Sequence, residues 1–244
     1  MMQPMNPILQ TAMFTLPSVA IAAAAGGIAA WRPPGVRLTS AIQHLAGGIV
    51  FAAAALELLP KERAGTALPV ILGFAIGLAL MLGLRVLADR LEAGDEGRKL
   101  PTGLIVVSAV DMVVDGVVLG IGFSAGEKTG VLLSVALTLE VLFIALSVSA
   151  AMSRSGAARA ATLAVPAALA LTLAVSAMLA RGFLGNPSPF TFTMLLGGGT
   201  VALLYLVVEE LLVEAHEVAE TPWATAGFFV GFLFFLLLDM VVES

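Results

Sequence analysis

The sequence contains no cysteine, which excludes disulfides, thiolate metal sites and a cysteine nucleophile. Charge is scarce too. Asp, Glu, Lys and Arg make up 12% of the 244 residues, against roughly 25% in a soluble domain. So few charges leave too little polar surface to face water. No basic cluster argues for nucleic acid, and the formal charge of −5 says little, because in a membrane protein the position of charge matters more than its sum. Residues 1–10 carry neither Lys nor Arg. They lack the charged start of a signal peptide, so the apolar run that follows reads as a first membrane span.

What is abundant is apolar length. Hydrophobic residues reach 59%, and the mean hydropathy is +1.04. A span needs about 20 mostly apolar residues to cross roughly 30 Å. Eight stretches qualify, at about 8–31, 38–60, 66–89, 101–124, 129–152, 160–181, 190–214 and 222–242. Short polar breaks separate them, at 32–35, 61–63, 91–99, 126–128, 153–159, 181–189 and 217–222. Nothing remains for a soluble domain, so 1–244 reads as one transmembrane domain embedded in a lipid bilayer. The expected fold is an all-α polytopic membrane protein, an eight-helix transmembrane bundle. With the N-terminus outside, Arg32, Arg37, Arg85, Arg90, Arg98, Lys99, Arg154 and Arg159 fall at inner ends. Lys61, Arg63, Lys128 and Arg181 fall at outer ends. This bias favours both termini outside.

Small residues recur at helix-packing spacing: Gly73/Gly77, Gly116/Gly120, Gly227/Gly231 and the run Gly197 to Gly199. They let backbones approach closely in lipid, and together with apolar outer faces they permit a homodimer. One similarity is internal. Glu57-Leu58-Leu59 ends span 2 and precedes Gly73-Phe74 and Gly77; Glu210-Leu211-Leu212 ends span 7 and precedes Gly227-Phe228 and Gly231. Spans 2 and 7 cross in opposite senses, so this reads as an inverted repeat of spans 1–3 and 6–8 flanking spans 4 and 5, a 3+2+3 arrangement. Transporters built this way hold substrate near midplane.

The midplane is where carboxylates lie. Asp111 and Asp115 fall halfway along span 4, and their i, i+4 spacing puts them on one helix face. Glu140 falls halfway along span 5. A carboxylate at the bilayer centre costs at least about 2.5–3.5 kcal/mol. Three at one depth, with no Lys or Arg within either span, need protons or a cation. All-oxygen ligands suit hard divalent cations such as Mn²⁺ or Mg²⁺, with Fe²⁺ and Zn²⁺ also admitted. Ser108, Thr138 and backbone carbonyls are candidates to complete the coordination. Other polar groups mark the two mouths: Glu57 and Asp239 the outer one, and His44, Asp89, Glu209, Glu210, Glu214 and His216 the inner one. Acidic mouths concentrate cations along a path.

These residues together resemble the ZIP (Zrt-, Irt-like protein) family of divalent metal transporters, in a divergent prokaryotic-type form. The similarity spans nearly the whole chain. Segment 48–60 resembles the family's second span, with its Glu-Leu-Leu-Pro end. Segments 205–217 (YLVVEELLVEAHE) and 227–239 (GFFVGFLFFLLLD) resemble the seventh and eighth. The family's fourth span carries His-Asn-x-Pro-Glu-Gly, and here Asp111-Met112-Val113-Val114-Asp115-Gly116 stands in its place. Asp111 takes the His position and Asp115 the Glu position. Glu140 takes the first ligand position of the fifth span.

The resemblance implies eight spans, both termini outside, and an alternating-access transporter in a cell membrane, here the bacterial inner membrane. It implies a divalent ion (Zn, Mn, Fe or Cd) as substrate and no enzymatic step. The departures also carry meaning. Met112, Val141 and Ile144 replace the polar residues that a two-metal site needs, and Val165 stands where some members have another acid. Val114 replaces the motif's proline, and 91–99 lacks the family's His-rich loop. The expectation is one metal site at most, built from Asp111, Asp115 and Glu140. Two other readings stay open: a proton- or sodium-coupled carrier of another solute, and a metal-sensing or structural relative without flux. An intramembrane enzyme is disfavoured, since His44 and His216 lie at span ends, away from the carboxylates.

Overall fold

The computed structural model describes residues 6–32, 35–93, 101–216 and 222–243. They are almost entirely helical, with no strand among the described residues. Eight helices are long and apolar enough to cross a membrane: Pro7–Trp31, Arg37–Arg63, Ala67–Leu87, Thr102–Ala125, Glu127–Arg154, Arg159–Phe183, Pro189–Leu211 and Thr225–Val242. They are spans 1 to 8 below, and they match the expected stretches in number and order. Several helices outrun their apolar windows; that of span 3 continues to Ala93 and that of span 7 to His216. Much of the expected breaks at 32–35, 91–99 and 217–222 lies outside the described residues, Arg98 and Lys99 included.

Local chemistry sets the helix ends. The Asn6 side chain accepts the Ile8 N–H at 2.9 Å, and Ser188 accepts the Thr191 N–H at 3.2 Å. Both cap a helix that starts on proline, where the missing N–H costs nothing. Spans 4 and 5 are separated by one residue, Gly126, at φ 149°. Only glycine takes that backbone without strain, so the two carboxylate-bearing helices form a tight hairpin.

Spans 2 and 7 are not pure α-helix. Ala54–Leu58 and Leu206–Leu211 are π-helical. Leu59 N–H bonds the carbonyl of Ala54, and Leu212 N–H that of Val207. In span 2 the π-turn runs into Pro60, which has no N–H to continue the α pattern. Both π-turns fall on the Glu-Leu-Leu segments noted in the sequence.

Span 5 is the most buried helix, and spans 3 and 8 lie at the periphery. Their outward faces, such as Ile71, Ile76, Phe229 and Leu233, are exposed and suit acyl chains. Packing falls into matched pairs. Span 3 packs on span 7 and span 8 on span 2; span 4 packs on span 6 and span 5 on span 1. Span 4 also touches span 7, and span 5 touches span 2. Glycines make the closest approaches. A Cβ at Gly73 would meet the Met194 carbonyl, one at Gly231 the Leu45 carbonyl, and one at Gly116 Ser176 Oγ and the Leu173 carbonyl.

Candidate metal centre

Asp111 and Asp115 lie one turn apart on span 4 and face Glu140 across the hairpin. Each of the three offers a carboxylate oxygen, and these atoms lie within 4.8 Å of one another. Asp111 is 6% exposed, Asp115 2% and Glu140 0%. Among the described residues none of the three forms a salt bridge, and neither Glu140 oxygen nor Asp115 Oδ2 has a hydrogen-bond donor from outside the cluster. Buried polar atoms are nearly always partnered, and two like charges at 4.8 Å repel by roughly 3.5 kcal/mol at an effective dielectric of 20. Bound at about 2.1 Å, a small divalent cation keeps opposite ligand oxygens about 4.2 Å apart. The cluster therefore has the dimensions of a single cation site. Among the described residues it is the one such group of three.

Neighbouring groups fix the frame. Ser176 Oγ on span 6 lies 3.3 Å from the Met112 carbonyl, against the backbone between the two aspartates. Gly116, beside Asp115, lets span 6 come this close. Thr138 pairs with Ser18 of span 1 at 2.7 Å and bonds the Ser134 carbonyl at 2.6 Å, so its hydroxyl is engaged away from the carboxylates. Met112, Val141 and Ile144 are buried apolar side chains, and Val165 packs half-buried against the core. They supply no ligand atoms for a second ion.

Asp111 also borders a cavity of ≈ 230 Å³, whose wall includes Ser108, Ser147, Asp89, Glu209 and Glu210. The cavity lies toward the start of span 4 and the end of span 5. Arg85 and Tyr205 share its wall, and Arg85 is ion-paired with Glu209. Three of the expected inner-mouth acids thus converge on this space. His44 does not: it is buried in the span 2–span 8 contact beside Gly227, with Nδ1 2.9 Å from the Ser40 carbonyl. The side chains of Glu214 and His216 lie outside the described residues.

Glu57 and Asp239 meet at the opposite end, and lysines accompany them. Lys61 lies 3.0 Å and Lys128 3.7 Å from Glu57, and Lys128 lies 2.7 Å from Asp239. The sequence reading missed these lysines as partners, although Glu57 and Lys61 stand at i, i+4 in plain view. It also missed Arg85, whose signal was a cation inside an apolar stretch. Glu62, buried between spans 2 and 7 and bonded by Thr200 Oγ1, had no local signal. No family model matches the chain, and no curated protein matches it in sequence.

Proposed function

We propose that this chain is a divalent-cation transporter of the ZIP type, carrying its ion through a single midmembrane site formed by Asp111, Asp115 and Glu140. One observation carries the reading. Three buried carboxylates converge, and among the described residues no basic side chain pairs with them and no donor from outside the cluster reaches three of their oxygens. A cargo cation supplies the missing charge. The acid-lined cavity that reaches Asp111 gives such an ion a path to water.

The matched packing pairs and the two π-turns on Glu-Leu-Leu support an inverted 3+2+3 repeat. In that arrangement both termini lie outside and the cavity faces the cytoplasm of a bacterial cell. Alternating access then moves the hairpin of spans 4 and 5, with spans 1 and 6, against spans 2, 3, 7 and 8. The residues act as ligands, not catalysts, so no chemical step is assigned. Only carboxylates form the site, which favours harder ions such as Mn²⁺ over Zn²⁺.

The test is flux into proteoliposomes across Zn²⁺, Mn²⁺, Fe²⁺, Cd²⁺ and Mg²⁺. Asp115→Ala abolishes uptake of whichever ion the wild type carries. Unchanged uptake by a folded Asp115→Ala protein sinks the reading, as does solute-driven proton movement with no divalent dependence.

A further inference from the structure

The two ends of the hairpin differ. At one end an open cavity reaches Asp111. At the other, span 5 begins with Glu127-Lys128-Thr129, and the last two residues are tied to other helices. Lys128 Nζ lies 2.7 Å from Asp239 Oδ1 on span 8 and 3.7 Å from Glu57 Oε1 on span 2. Thr129 Oγ1 donates to Glu57 Oε2 at 2.6 Å. These carboxylates are not surface groups: the side chain of Glu57 is 3% exposed and that of Asp239 15%. Lys61 also neutralises Glu57, at 3.0 Å, but from the same helix. Lys128 is the cation that links different helices, joining span 5 to spans 2 and 8 at once.

Between this cluster and the carboxylate site the protein is closed. Thr129, Leu133, Ala136 and Glu140 recur at helical spacing on one face of span 5, and Leu133 and Ala136 are 0% and 1% exposed. Thr129 and Glu140 are 11 residues apart, about 16 Å of helix at 1.5 Å per residue, and this distance is packed side chain. Span 5 is tied to spans 2 and 8 at the end that is shut, whereas beside the open cavity Ser149 and Ser153 bond it to spans 6 and 1.

We propose that Lys128 is a latch. Its ammonium stands in the Glu57/Asp239 mouth as a tethered cation, holds span 5 against spans 2 and 8, and keeps the carboxylate site closed on that side. Opening on that side separates Lys128 from both carboxylates and frees Asp239 to meet an incoming cation, while Glu57 keeps Lys61 on its own helix. Interface salt bridges that repack as rigid elements move are a recurrent way of biasing one of two states.

Because the chain has no cysteine, single-cysteine labelling reads this directly. Ala136→Cys reports the closed side and Ser147→Cys, on the cavity wall, the open side. Each is labelled with a membrane-impermeant methanethiosulfonate reagent in right-side-out and in inverted vesicles. In the parent background Ser147→Cys reacts from one face and Ala136→Cys is slow from the other. Adding Lys128→Met raises the Ala136→Cys rate about fivefold or more, which corresponds to about 1 kcal/mol of population shift. It also lowers the Ser147→Cys rate. Lys128→Arg keeps the parent rates. Asp239→Asn repeats the effect through the other partner and carries the test if Lys128→Met does not fold. Ala136→Cys rates within about twofold of the parent in the folded variants overturn the latch. The inference rests on the transporter reading only in calling this movement part of a transport cycle. Labelling needs no cargo, so a latch can fail while flux persists, and flux can be absent while the labelling shift stands.

Discussion

Glu140→Gln separates a cargo site from a structural cluster, because the two predict opposite signs. The substitution keeps shape and removes one charge from a group whose oxygens lie within 4.8 Å. Each like-charge pair at that distance costs roughly 3.5 kcal/mol at an effective dielectric of 20. Proton uptake by the cluster relieves part of this, so the variant gains about 1–2 kcal/mol in the absence of metal. For a chain of this length that raises the unfolding temperature by roughly 2–8 °C. With metal the order reverses. A ligand at one hundred times its Kd stabilises the wild type by about 2.7 kcal/mol, roughly 5–11 °C. Losing one of three ligands so weakens binding that, for a hundredfold higher Kd, the same metal concentration adds only about 0.4 kcal/mol. The assay is thermal unfolding in detergent, first in EDTA and then with Mn²⁺, Zn²⁺ or Cd²⁺. The reasoning is refuted if Glu140→Gln is less stable than wild type in EDTA, or if it keeps the full metal-dependent shift.

Two further expectations concern the frame around the site. Gly116→Leu forces span 6 off span 4 where Ser176 and the Leu173 carbonyl already touch the glycine. It lowers stability by about 1–3 kcal/mol, and it removes metal-dependent stabilisation even though every ligand remains; chemical denaturation with and without metal checks both. Thr200→Val deletes the donor to buried Glu62 and costs about 1–3 kcal/mol. Adding Glu62→Gln recovers part of that loss, measured as a double-mutant cycle of unfolding midpoints.

The sequence by itself determined the number and order of the spans, because crossing lipid demands uninterrupted apolar length and closed backbone hydrogen bonding. It also singled out Asp111, Asp115 and Glu140, because a carboxylate in the middle of an apolar stretch is conspicuous wherever the helix packs. The Glu-Leu-Leu repeat was legible too, and both copies coincide with π-turns. What the sequence did not determine was pairing between distant helices. Glu57 and Asp239 looked like free acids at a mouth until Lys128 came to lie against both. His44 looked like a mouth residue until packing buried it against span 8. Glu62 found its donor in Thr200, 138 positions away. Apolar periodicity reports which residues avoid water. Which faces meet is set by where glycines allow close approach and where charges must be matched, and only the tertiary structure decides that.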